Sequence, residues 1–129
     1  MTTGLSSYYA DAVLNVRRAT SFTAFTEYLK VHTADPGAAG TTAASAETTR
    51  KAVTYGAPST VSTNRSMAGS AVSWTAWSAG SETIAFVSGW DASTSGNFIE
   101  SGALAASKAV ANGDTLSITP TATQGGLAA

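Results

Sequence analysis

The sequence predicts a mainly β fold: a compact antiparallel β-sandwich or barrel of about six strands, preceded by an N-terminal amphipathic helix. Three observations predict it. Short alternating runs recur at close spacing, turn signals rich in Gly, Pro and Asn separate them, and a helical apolar period occurs only near the N-terminus. The 129 residues suit one domain, residues 1–129, with a helix at about 5–18, a β domain at about 26–120 and a short tail at 121–129. A chain of this length buries roughly two-thirds of its unfolded surface, enough for one core.

Leu5, Tyr9, Ala12, Val13 and Val16 recur at helical spacing and form one apolar stripe. Ser6 or Ser7 can cap its start, and Arg17 and Arg18 suit the negative end of the helix dipole. The stripe is expected to be buried, on the chain's own sheet or on a neighbouring subunit. A β-prone run, Tyr28 to His32, stops at Asp35-Pro36-Gly37. Ala38 to Thr48 reads as an exposed loop. Arg50 to Tyr55 alternates, and Val61 to Ser70 reads as a polar connection. Ala71 to Thr75 alternates. Thr83 to Val87, continuing to Trp90, is the most apolar run and reads as a central strand. Asp91 to Asn97 is a turn, and Asn97 to Ser101 starts the next strand. Asn112-Gly113-Asp114 is a tight turn before the last strand, Thr115 to Thr119. The tail from Thr121 is polar, small and Gly-containing, and is expected to be held by neighbours.

Charge is scarce. Seven Lys+Arg stand against 8 Asp+Glu, and charged residues make up 12%, against ~25% in an average soluble domain. Such a surface suits contact with other protein and offers no electrostatic footprint for nucleic acid. The absence of cysteine excludes disulfides and thiolate chemistry. The segment Leu5 to Val16 lacks the apolar core of a secretory signal, and no run approaches the ~20 apolar residues of a membrane span. The expectation is a protein that acts without a membrane.

Candidate chemistry is thin. His32 is the only histidine, and its one nearby carboxylate is Asp35 across the turn. That is too few ligands for a metal, and no G-x-S-x-G elbow supplies a nucleophile. The carboxylates Asp11, Glu27, Asp35, Glu47, Glu82, Asp91, Glu100 and Asp114 are scattered in sequence, and Asp91 and Asp114 fall in turns. Gly125-Gly126 lacks the context of a phosphate cradle. No catalytic, cofactor-binding or metal residue is assigned, and no cofactor is expected. Trp74 and Phe86 read as core, whereas Trp77, at a strand end among polar residues, reads as an interface or sugar-contacting side chain. The candidate interface residues are Tyr9, Val13 and Trp77.

Five segments in order carry a resemblance: YLKVHTADPG at Tyr28 to Gly37, TRKAVTYGAPS at Thr49 to Ser59, NRSMAGSAVSWTAW at Asn64 to Trp77, FVSGWDASTSGNFIESGAL at Phe86 to Leu104, and KAVANGDTLSI at Lys108 to Ile118. Together they resemble a family of small tailed-phage virion structural proteins described as tail-fibre-like or capsid-decoration-like. Lys30, where the family has an apolar residue, and Thr60 to Asn64, which lacks the family's glycines, depart from the pattern. The resemblance implies a non-enzymatic virion protein made in the bacterial host cytoplasm. The favoured role is a capsid decoration or minor capsid protein that binds and reinforces the major capsid lattice, with the major capsid protein or copies of itself as partners. The alternatives are a tail or tail-fibre component, which would bind tail proteins, and a carbohydrate- or receptor-binding module built around Trp77.

Overall fold

The computed structural model describes residues 4–124. It is mainly β, with one short helix and nine strands among the described residues. The helix α1 is Ser7–Val16. The strands are β1 (Tyr28–His32), β2 (Lys51–Ala52), β3 (Ser59–Val61), β4 (Asn64–Ala68), β5 (Val72–Trp74), β6 (Glu82–Trp90), β7 (Phe98–Val110), β8 (Leu116–Ile118) and β9 (Thr121–Gln124). They form a four-stranded sheet in the order β2-β1-β6-β7, a three-stranded sheet β3-β4-β9 and a ribbon β5-β8. Every pairing is antiparallel. The large sheet is open, so of the two expected forms the closed barrel is not the one adopted.

The core lies between the large sheet and the ribbon. Leu29 and Val31 on β1, Ile84 on β6 and Val110 at the end of β7 meet Val72 and Trp74 on β5 and Leu116 and Ile118 on β8. Val53 and Trp77 complete it. The alternation visible in these strands is the reason: in β1 the apolar members Leu29 and Val31 share one face because successive side chains point to opposite sides. The run ending at Trp90 is central as expected, since β6 lies between β1 and β7.

The segment after β1 lies against the opposite face of the sheet. Most of Ala38 to Thr48 is exposed, as the sequence suggested, but Gly40 and Ser45 within it are buried, as is Pro36 before it. Gly40 has φ +70°, and a Cβ there would lie 2.5 Å from the Phe98 ring. Only glycine tolerates both that backbone and that approach. Ser45 donates from its N–H to the Val31 carbonyl at 3.2 Å, and its hydroxyl bonds the Glu82 carboxylate.

Three other expectations are corrected. Val61 to Ser70 contains β4 and the two-residue turn, with Ser62 at φ 57°, that joins it to β3 in a hairpin. Thr121–Gln124 is the strand β9, paired with β4. Both escape pattern reading because their strands are largely exposed on both faces and need no apolar alternation. The Gly125 to Ala129 part of the tail, with the expectation that neighbours hold it, lies outside the described residues. The third correction concerns α1, shorter than the expected 5–18. Ser6 caps it by accepting from the Tyr9 N–H at 3.1 Å, but none of its residues is buried. The stripe does not lie on the chain's own sheet. Leu5, Val13 and Val16 are exposed, Val13 by 44% and Val16 by 54%.

Candidate functional site

Two features of the surface could meet another molecule: an apolar N-terminal patch and a cavity beside it. The patch begins with how α1 is anchored. The Ser6 N–H donates to the Ile99 carbonyl at 2.7 Å, and the Ser6 hydroxyl donates to the Phe98 carbonyl at 2.5 Å. The Ser101 N–H donates to Gly4 at 2.9 Å. The chain start therefore runs along the outer edge of β7 and pairs part of it. Past this anchor, Tyr8, Val13, Leu14 and Val16 face solvent. Tyr9 is half-buried, and its ring meets Phe22 at 5.9 Å and Phe25 at 6.1 Å between centroids. This aromatic cluster fastens the base of the helix and leaves the rest of its apolar surface outward.

Of the three candidate interface residues, the structure places Tyr9 and Val13 on this patch. Trp77 is elsewhere and is corrected: it is 2% exposed, belongs to the core and donates its indole N–H to the Gly80 carbonyl at 2.8 Å. It has no free face for a partner or a sugar. The polar sequence around it misled because a strand end can turn its aromatic inward while its neighbours stay wet.

His32 and Asp35 are not brought together. His32 is fully buried, with Nδ1 2.9 Å from the Thr42 carbonyl and Nε2 2.7 Å from Ser88 Oγ. A carbonyl only accepts, so Nδ1 carries the proton and Nε2 accepts from the Ser88 hydroxyl. Ser88 Oγ in turn accepts from the Trp90 indole N–H at 2.8 Å. Burial lowers the His32 pKa, aided by the Lys30 charge and opposed by the Thr42 bond. The imidazole is a neutral clamp on the covering loop. Asp35 accepts from the Gly37 N–H at 2.8 Å and shapes its own turn. Asp91 likewise holds Asn97, and Asp114 holds Ala111. Arg50 stacks 3.9 Å above the Trp90 ring and bonds the Ala92 and Ser95 carbonyls, tying β2 to the turn after β6.

The cavity holds what the sequence did not reveal. Its volume is about 560 Å³, and Leu5, Tyr9, Phe25, Glu27, Tyr55 and Glu100 are among its walls. Glu27, Tyr55 and Glu100 also wall a second cavity of about 330 Å³. Glu27 precedes β1 and its carboxylate packs against Gly89, where a Cβ would overlap it. Gly89 pairs with Glu100 across β6 and β7, and this register delivers the second carboxyl to the same place. Glu27 is only 8% exposed, and its Oε1 has no hydrogen-bond partner. Burial first, then the Glu100 charge, pushes Glu27 up to about 7, and burial raises Glu100. Tyr9 and Tyr55 are raised too, chiefly by burial and then by these carboxyls. No spacing rule pairs residues so far apart in sequence. Only strand register does. Among the described residues no group of three or more His, Cys, Asp or Glu gathers, and no helix is long and apolar enough to cross a membrane.

The chain was compared with known proteins. Residues 4–125 match the family model described as podophage GP4 fiber I protein gp80. No curated protein matches the chain.

Proposed function

The chain belongs to the podophage GP4 fiber I protein gp80 family, a family of bacteriophage structural proteins, and from that membership we propose that it is a tail-fibre component, held in the virion by packing uncharged surface against neighbouring protein. The family match, covering nearly the whole chain, carries the reading. The exposed apolar stripe at α1 supports it, because an outward row of Leu5, Val13 and Val16 is unusual for a solitary soluble domain. The low charge supports it as well, since few charges need desolvating at a contact. The partners would be copies of this chain or adjoining tail proteins. The mechanism is burial of surface, on the order of 1,600 Å² for a standard interface, repeated at every copy.

A capsid-decoration role would use the same surface and the same physics. The word fiber in the family's description favours the tail. The experiment is to separate heads from tails in purified particles and probe each fraction with an antibody to this chain. The fibre reading expects the protein in the tail fraction, with label at fibre positions in electron micrographs. Retention on tailless heads alone would overturn it in favour of decoration.

A further inference from the structure

We propose that the cavity between α1, the segment preceding β1, β7 and the three-stranded sheet is a binding site for an organic cation, an ammonium or guanidinium group on an aliphatic stem, with Glu27 and Glu100 as its paired counter-charges. The proposal goes beyond the fibre reading and does not depend on it.

Three observations converge. First, Glu27 is buried with Oε1 unpartnered, although a desolvated carboxylate ordinarily requires donors. Second, the side chains that reach the rest of its carboxyl are the Tyr55 hydroxyl and the Glu100 carboxyl, both within hydrogen-bonding reach, and neither is a cation. Arg65 is the cationic wall of the cavity among the described residues, and its guanidinium is turned to Thr60 Oγ1 at 2.7 Å and the Pro58 carbonyl at 2.7 Å. Two carboxyls this close in a buried setting stay ionised only if a positive charge joins them. Third, Tyr9, Phe25, Tyr55 and Leu5 are among the remaining walls. Aromatic faces beside carboxylates recognise alkylammonium and guanidinium groups through cation–π contact and sheathe their stems. A calcium ion, which takes six to eight oxygen ligands, is poorly served by two carboxylates and two phenols. The volume, about 560 Å³, falls within the range of small-molecule sites, roughly 300–1,000 Å³.

The cation could arrive on a Lys or Arg side chain of a neighbouring chain or as a free amine. The probe is n-butylammonium chloride, with n-butylguanidinium chloride beside it, titrated into the full-length protein by calorimetry and by thermal unfolding. Sodium chloride at equal ionic strength is the control. The wild type is expected to bind and to melt at higher temperature than in the control. Glu27→Gln and Glu100→Gln, which keep shape and lose charge, are expected to bind at least about tenfold more weakly. Circular dichroism verifies that both fold. Sedimentation velocity then separates the sources. Dissociation of a self-associated protein by n-butylammonium identifies a side chain of a second copy, while binding with no change in sedimentation identifies a free amine. Equal responses to the amine and to sodium chloride, equal binding by both variants, or a response to calcium chloride alone would overturn the proposal. None of these results bears on which particle fraction carries the protein, so the two readings fail separately.

Discussion

At the residue scale, one glycine lies directly under a carboxylate. A Cβ at Gly89 would strike the Glu27 side chain. Gly89→Ala is therefore expected to cost about 1–3 kcal/mol. In the Glu27→Ala background the same change should cost markedly less, which a double-mutant cycle from urea unfolding will measure. The carboxyl pair also sets a pH dependence. Glu27 rises from 4.5 to about 7 on folding, so the folded state holds its proton more tightly and this stabilisation is lost as pH rises through about 7. His32 has the opposite sign: its pKa falls below 6.5, so its contribution is complete above 6.5 and is lost as pH falls. Above pH 6.5 the coupled carboxyls Glu27 and Glu100 therefore act without His32, with Tyr9 and Tyr55 held neutral by their raised values. The melting temperature of the wild type should fall as pH rises above 6.5, and Glu27→Gln should flatten the fall. Trp77→Ala, finally, is expected to cost about 3–5 kcal/mol in urea unfolding, as for a large core side chain. A surface residue would cost far less.

At the element scale, the two parts of α1 are held differently. Its cap and anchor are local and tight, with Ser6 serving both the helix and the Phe98 carbonyl. Among the described residues its apolar surface meets little beyond the aromatic cluster at its base and the edge of β7. Val13→Asp should consequently change the unfolding free energy of the isolated chain by less than about 0.5 kcal/mol. Incorporation into particles, or self-association by sedimentation, should drop sharply, because there the new charge would be desolvated. The strands show a parallel contrast. β1, β5 and β8 face the core and alternate visibly and β6 is a near-continuous run, whereas β3, β4 and β9 contain no buried residue and are held by ladder bonds.

At the scale of the whole molecule, 12% charged residues and a net charge of −1 leave little for salt to screen. Association through the apolar patch should persist from about 0.05 to about 0.5 M sodium chloride, over which the screening length shortens from beyond ~10 Å to well under it. Co-sedimentation across that series checks it. Loss of association at moderate salt would instead indicate contacts dominated by charge. Such a loss, if cured by restoring low salt but absent in Glu27→Gln, would trace the charge to the cavity.

The mainly β class, the central strand ending at Trp90, the turn at Asn112-Gly113-Asp114 and the cap of α1 were determined by the sequence alone. Each rests on a local rule: alternation across a pleat, a glycine at positive φ, a hydroxyl accepting from a free helical N–H. Only the tertiary structure decided where Trp77 points, that the segment after His32 covers a sheet face, and that the apolar stripe of α1 remains outside. It alone joined Glu27 to Glu100, through a register that places Glu100 opposite Gly89 and leaves Glu27 to lie over that glycine. The physical reason is common to all four. Side-chain period tells which residues share a face, but which face meets what depends on partners distant in the chain.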